Sequence, residues 1–259
     1  MKNVKVCVLR TAGINCDQET AFAFSKVGSQ AELVHINDLI RQKNSLRDYQ
    51  ILALPGGFSY GDDIASGKVF ANELKYKLEE ELVRFIADGK LIIGICNGFQ
   101  VLVKSGLLPG NNAFEQEASL IINDSGKFED RWVYLKNSGK CAWTRNMPEM
   151  IYLPVAHGEG KFIVKDKTVF NRLKTNKQIV FRYCSAQGQP SGYPDNPNGS
   201  LDDIAGICDA TGRILGLMPH PERHIASSQH PRWFNLKNKK EGDGREIFRN
   251  GVEYIKKSL

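Results

Sequence analysis

Leu91-Ile92-Ile93-Gly94-Ile95-Cys96-Asn97-Gly98-Phe99-Gln100 opens as an apolar run and closes as the start of a helix, with Gly-x-Cys-x-Gly at the junction. This is the strand–turn–helix setting of a nucleophile elbow, with cysteine where hydrolases commonly carry serine. The turn is sharp, so residues two before and two after the nucleophile crowd each other, and Gly94 and Gly98 relieve that crowding. The sulfur would stand at the carboxyl end of a strand and the amino end of a helix. The dipole and unpaired N–H groups there favour thiolate over thiol. The Asn97 N–H lies beside the nucleophile, where an oxyanion would form. The plain alternative is a small apolar cysteine closing a core strand; the paired glycines and the abrupt helix start argue against it.

Outward from this stretch, short apolar runs alternate with helical patterns. Val4–Leu9, Ala31–His35, Ile51–Leu54 and Leu91–Ile95 read as strands, and 17–27, 68–88 and 97–105 as helices stopped by Gly28, Gly89 and Gly106. This order predicts an α/β fold with a mostly parallel central sheet and helices on both faces. The second half is more strand-rich, with candidates at 132–135, 151–155, 162–164, 179–183, 204–208 and 214–218, and adds a small antiparallel region. Asp209-Ala210-Thr211-Gly212 reads as the hairpin turn between the last two, and 244–258 as a closing helix. Gly188–Ser200, rich in Pro, Asn and Gly, reads as a loop and not a linker, so residues 1–259 are expected to form a single domain.

A chain of 259 residues can bury a core without staples. The net charge of +6 comes with no long basic tract, and Lys237-Asn238-Lys239-Lys240 reads as solvated surface, so no nucleic-acid partner is expected. The amino terminus is too charged for a signal peptide, and no window approaches the apolar length of a membrane span. Six cysteines at 7, 16, 96, 141, 184 and 208 include no C-x-x-C, which fits a reducing cytoplasm. Outside position 96 each is expected to be a buried or incidental thiol.

A cysteine hydrolase also needs a base, which later protonates the leaving amine. Among five histidines, His220 follows the apolar run 214–218 and so stands at a strand's carboxyl end, on the same sheet edge as Cys96 if the strands are parallel. Glu222, two residues on, is placed to accept from one ring nitrogen and aim the other at sulfur. A capped turn is the bland alternative for Pro219-His220-Pro221-Glu222. A metal set of His220, Glu222 and His224 is disfavoured because Pro221 interrupts the helix that would align it, and no metal is assigned. Leu54-Pro55-Gly56-Gly57 ends another strand, and Gly57 is the expected second oxyanion donor. Two decoys follow. Gly57 to Gly61 spells Gly-x-Ser-x-Gly around Ser59 but lacks the strand and helix on either side. Gly61 to Lys68 imitates a phosphate loop with the wrong spacing and two aspartates.

Taken together, Gly94-Ile95-Cys96-Asn97-Gly98-Phe99-Gln100, Pro219-His220-Pro221-Glu222-Arg223 and Leu54-Pro55-Gly56-Gly57 resemble the class I, triad-type glutamine amidotransferases. Phe58-Ser59-Tyr60-Gly61-Asp62, Pro154-Val155-Ala156-His157-Gly158-Glu159-Gly160, Phe181-Arg182-Tyr183 and the stretch from Asn196-Pro197-Asn198-Gly199-Ser200 to Ile204-Ala205-Gly206-Ile207 narrow the resemblance. They look like the glutaminase subunits of phosphoribosylformylglycinamidine synthases, in purine biosynthesis. The similarity runs over nearly the whole chain and implies a flavodoxin-like sheet. It further implies glutamine hydrolysis through a Cys96 thioester, with ammonia passed to a larger ATP-dependent synthetase subunit and a small accessory subunit alongside. No cofactor is expected in this chain; ATP and Mg belong on the partner. By the same resemblance, Gln100, His157, Gly158 and Glu159 line the glutamine pocket. A cysteine hydrolase or peptidase with another substrate and a non-catalytic regulatory module are the alternatives. The loop Thr11-Ala12-Gly13-Ile14-Asn15-Cys16-Asp17 departs from the Pro-Gly-Thr or Pro-Gly-Ser that the family more often has before Asn-Cys-Asp. Residues 123–148 and 233–244 carry no readable motif and are candidate partner surface.

Overall fold

Eleven strands and seven helices are formed, in a computed structural model that describes residues 3–110, 114–138, 141–235 and 241–258. The basic run Lys237-Asn238-Lys239-Lys240 lies outside the described residues. The strands are β1 (Lys5–Arg10), β2 (Gln30–His35), β3 (Ile51–Leu54), β4 (Leu91–Ile95), β5 (Ala118–Ile121), β6 (Glu129–Asn137), β7 (Met150–His157), β8 (Lys161–Val164), β9 (Ile179–Cys184), β10 (Ile204–Cys208) and β11 (Ile214–Leu217). The helices are α1 (Asp17–Lys26), α2 (Ile36–Ile40), α3 (Lys68–Lys77), α4 (Glu79–Ala87), α5 (Asn97–Lys104), α6 (Lys167–Thr175) and α7 (Arg245–Ser258).

Nine strands form one sheet in the order β2-β1-β3-β4-β11-β10-β9-β6-β7, and β5 pairs with β8 in a separate antiparallel ribbon. From β2 to β11 every pairing is parallel; from β11 to β7 every pairing is antiparallel. Two successive reversals restore direction, so β7 and β9 run the same way as the parallel half and only β6 and β10 oppose it. The carboxyl ends of β1, β3, β4, β11 and β7 therefore share one edge. Every residue of β3 and β4 is buried, as strands covered on both faces require. Phe24 on α1 packs edge-on against Phe248 of α7 on one face. Right-handed crossovers from β1 to β2 and from β3 to β4 run in opposite directions along the sheet, which puts α1 and the α3–α4 pair on opposite faces. Between β1 and β3 the chain order switches direction, the place where open α/β sheets form a crevice.

The sheet is not flat. Five strand spacings separate β4 from β7, about 24 Å across a flat sheet. Yet Cys96 Sγ, just past β4, lies 3.7 Å from the Ala156 carbonyl of β7, and His220 N–H donates to the Pro154 carbonyl at 2.8 Å. The antiparallel half curls back over the edge, helped by register shifts between β9 and β10 that bend the ladder.

Four elements differ from the sequence reading. The helix expected over 68–88 is two helices broken at Leu78, whose φ of −128° is not helical. Lys75 and Lys77 end the first and Glu79, Glu80 and Glu81 begin the second, so each helix carries the charge its own dipole favours. The strand β5 and the helices α2 and α6 were not expected. Asp166 caps α6, accepting from the Val169 N–H at 3.0 Å. No helix among the described residues is long and apolar enough to cross a membrane.

Candidate active site

Cys96 sits between β4 and α5 with φ 51° and ψ −106°, a conformation L-residues avoid and the elbow imposes. A Cβ on Gly94 would come 2.5 Å from the Gly98 carbonyl, and one on Gly98 would come 1.9 Å from the Leu54 carbonyl. The glycines thus let the elbow close and let α5 press onto β3. The Cys96 N–H donates to the Leu217 carbonyl at 2.8 Å, which ties the elbow to the strand that delivers the histidine.

His220 and Glu222 are buried, with His220 Nδ1 2.6 Å from Glu222 Oε1. The sequence leaves the backbone at Pro221 either extended or in a tight turn. It is a turn: Pro221–Arg223 form a 3-10 turn, with Pro221 in the first-turn position that tolerates its missing N–H, and the carboxylate folds back under the ring. Nε2 is left facing sulfur and makes no hydrogen bond of good geometry. Burial is the largest single effect on His220 and opposes its charge; Glu222 is the largest of those that favour it. Cys96, and hydrogen bonding with Cys16 and Cys96, add to Glu222, and together they hold its pKa well above the usual imidazole range. His224 is turned away, its Nδ1 2.8 Å from the Tyr152 carbonyl, so His220, Glu222 and His224 do not converge.

Two cavities meet at Cys96. One of about 160 Å³ is lined by Gly57, Gln100, His157, Gly158 and Glu159, together with Asp62. The other, about 250 Å³, is lined by Cys16, Gly57, His220 and Arg223. A cavity of about 400 Å³ between Ile86, Leu107 and Ile214 lies toward the opposite sheet edge, away from these groups. Gly57 has φ 140°, and a Cβ there would meet the Asn15 N–H nitrogen at 2.7 Å. The loop after β1 packs that closely, with Phe58 N–H donating to Gly13 O and Cys16 N–H to Gly56 O.

The side chain of Asn97 joins the glycine turn to the elbow. Its Oδ1 accepts from the Ser59 N–H at 3.2 Å, and its Nδ2 donates to Asp62 at 3.1 Å and to Gln100 Oε1 at 2.9 Å. Gln100 Nε2 donates to the Glu159 carbonyl at 2.7 Å, and Lys104, buried on the same helix, stands 3.9 Å from the Glu159 carboxylate. Burial lowers the Lys104 pKa, while Glu159 and Asp62 oppose that fall. Burial also raises the Asp62 pKa. Ser59 Oγ is buried without a partner, and the serine-hydrolase decoy has no base at hand.

His157 has a fixed tautomer. Asn123 Nδ2 donates to the Lys127 and His157 carbonyls, so its Oδ1 must accept from both Gly160 N–H and His157 Nδ1. The proton is therefore on Nδ1 and Nε2 is a bare acceptor. Burial first, then the charge on His220, pushes the His157 pKa down to about 3.

The sequence reading passed over Cys16, Asp62, Lys104 and Asn123. Cys16 is a buried thiol, as expected, and it also lines the cavity beside His220, with Arg223 Nη2 donating to its sulfur at 3.2 Å. Its place at the head of the helix after β1 was the one available signal. Asp62 falls in the motif Phe58-Ser59-Tyr60-Gly61-Asp62 without a role of its own, and nothing local marked Lys104 or Asn123.

The family model of the CobB/CobQ-like glutamine amidotransferase domain matches residues 3–255. Among curated proteins, the chain is 50% identical over 259 residues to the phosphoribosylformylglycinamidine synthase subunit PurQ of Dehalococcoides mccartyi, covering 99% of each. It is 48% identical over 268 residues to the protein of that name from Methanococcus maripaludis, covering 98% of each. Among solved structures it is similar to a chain of PurLQS from Thermotoga maritima, with TM-score 0.76 and 32% identity over 98% of this chain and 100% of that one. A glutamine amidotransferase of Thermotoga maritima, at 16% identity and TM-score 0.57, shares the fold.

Proposed function

We propose, for a chain that belongs to the CobB/CobQ-like glutamine amidotransferase family, that glutamine hydrolysis at Cys96 supplies ammonia to a separate synthetase subunit. The chain is the glutaminase subunit of a phosphoribosylformylglycinamidine synthase, a glutamine amidotransferase that works with a larger synthetase subunit and a small accessory subunit. That partner converts formylglycinamide ribonucleotide to formylglycinamidine ribonucleotide, and ATP and Mg act there and not on this chain. Residues 1–259 act as one unit, since a single cavity takes walls from Asn15 and from Arg223. The working compartment is the cytoplasm, which six free thiols suit.

In the proposed cycle, His220 Nε2 takes the proton of Cys96, and the thiolate attacks the side-chain amide carbon of glutamine. N–H groups of Gly57 and Asn97 hold the oxyanion, each contributing on the order of 3 kcal/mol in the transition state. His220 returns the proton to departing ammonia, leaving a glutamyl thioester. It then activates the water that releases glutamate. Glu222 holds the ring in one tautomer and supports its charge. Gln100, His157, Gly158 and Glu159 wall the glutamine cavity.

The observation that carries this reading is the buried 2.6 Å His220–Glu222 contact delivered beside a strained, helix-capping cysteine. A glutamine-like diazoketone tests it. Mass spectrometry should find one adduct, on Cys96; an adduct on Cys7, Cys16 or Cys208 overturns the elbow assignment.

A further inference from the structure

Cys16 is a buried nucleophilic group that the proposed cycle leaves unused, and it lies against the base that the cycle needs. One donor atom each of Cys16, His220 and Glu222 falls within 4.8 Å of the others. Glu222 Oε1 is taken by His220 Nδ1, so the inward donor of that pair is Nε2, buried and without a hydrogen bond. The Cys96 sulfur lies outside that set, and its Cβ approaches the set at Gly56. A Cβ there would meet the His220 ring at 2.8 Å, Cys16 Sγ at 3.2 Å and Cys96 Cβ at 3.5 Å. All three side chains line the cavity of about 250 Å³.

We propose that Cys16, Cys96 and His220 form a zinc site, and that Zn²⁺ held there switches the glutaminase off by occupying the sulfur and imidazole the reaction needs. Two thiolates and an imidazole are soft donors that suit zinc and not magnesium or calcium. Glu222 behind Nδ1 completes a carboxylate–histidine–metal arrangement, which fixes the tautomer that leaves Nε2 free to ligate. Arg223, donating to the Cys16 sulfur, supports its thiolate. Tetrahedral zinc sets sulfur and nitrogen donors about 3.5 Å apart, so closing the set requires the Cys96 sulfur to turn from the Ala156 carbonyl toward Cys16 and His220. Each thiol gives its proton to solvent as its sulfur–zinc bond forms. His220 likewise releases its Nε2 proton to solvent and binds as the neutral ring, and water takes the fourth position.

Occupancy stands on the geometry alone, whereas inhibition also rests on the proposed role of Cys96, so two readouts are needed. Co²⁺ added to the full chain should give sulfur-to-metal charge-transfer absorption that Zn²⁺ abolishes. Cys16→Ser and Cys96→Ser should each remove about half of it, one thiolate apiece. In the complete synthase, Zn²⁺ should block synthesis from glutamine but not from ammonia. Cys16→Ser should raise the half-inhibiting zinc concentration about tenfold or more. Charge-transfer absorption that is absent, or undiminished in Cys16→Ser, overturns the site. Zinc that binds as expected yet leaves turnover of glutamine unchanged overturns the switch, and counts against Cys96 as nucleophile while leaving the site standing.

Discussion

Cys96 and Cys16 each head the helix that follows a strand of the parallel half, α5 after β4 and α1 after β1. Their settings diverge from there. Cys96 follows its strand directly, at φ 51°, with a glycine two residues away on either side. Cys16 comes after the loop 11–15 at a relaxed φ of −101°, with Ile14 and Gln18 at the corresponding positions. The first turn of α1 carries Asp17 and Glu19, whereas that of α5 carries no acid. Burial raises the Cys16 pKa, and hydrogen bonding to His220 only partly offsets it. Cys96 walls both cavities; Cys16 walls one. A helix amino end is therefore not sufficient to make a nucleophile. The elbow decides, because it places the sulfur where both cavities meet.

Breaking the comparison at its centre gives the largest effect. Cys96→Ala should reduce glutamine-dependent synthesis in the full complex to background, a loss on the order of 10⁵-fold or more, while added ammonia still supports product. Equal loss with both nitrogen donors would contradict the assignment. Glu222→Gln comes next. It should lower kcat by roughly 10³- to 10⁴-fold at little change in melting temperature, since the glutamine amide can no longer enforce the tautomer or support the charge. A loss under tenfold, measured as glutamate release, would remove Glu222 from the triad.

Gly98→Ala sharpens the structural side of the contrast. The Leu54 carbonyl lies 1.9 Å from the new Cβ. Displacing α5 should cost about 2–4 kcal/mol in chemical denaturation and misplace the elbow as well. Unchanged stability would mean that the helix and β3 are not held as close as the structure places them. The mildest test compares the two thiols in one molecule. Alkylation of the native chain, followed by peptide mass mapping, should modify Cys96 about tenfold faster than Cys16. Equal rates would remove the distinction drawn between the two settings.

The elbow was legible because all of it is local: an apolar strand, two glycines and an immediate helix fall within ten consecutive residues. His220 and Glu222 were legible for the same reason, and the turn that joins them is a 3-10 turn. The break at Leu78 was written in the charges on either side of it, which a purely apolar periodicity overlooks. Asn123 stood in a stretch without a motif, yet it fixes the tautomer of His157, 34 positions away. Asp62 read as a residue that spoils a phosphate loop. Only the contact with Asn97 shows its place in the wall of the cavity beside Cys96. Lys104 fell on a helix already accounted for by its apolar face.

By itself the sequence determined the strand order in time, the sharp turn at residue 96, and the family to which such motifs belong. Each of these depends on backbone sterics and short-range periodicity, which act between neighbours in the chain. The tertiary structure alone decided that β7 curls over the edge to wall the cavity. It also decided that a second sulfur stands beside the base, and that one asparagine bridges two turns. Those outcomes depend on how a twisted sheet bends and which loops then collide. Such contacts are set by packing across tens to hundreds of residues, and no local pattern encodes them.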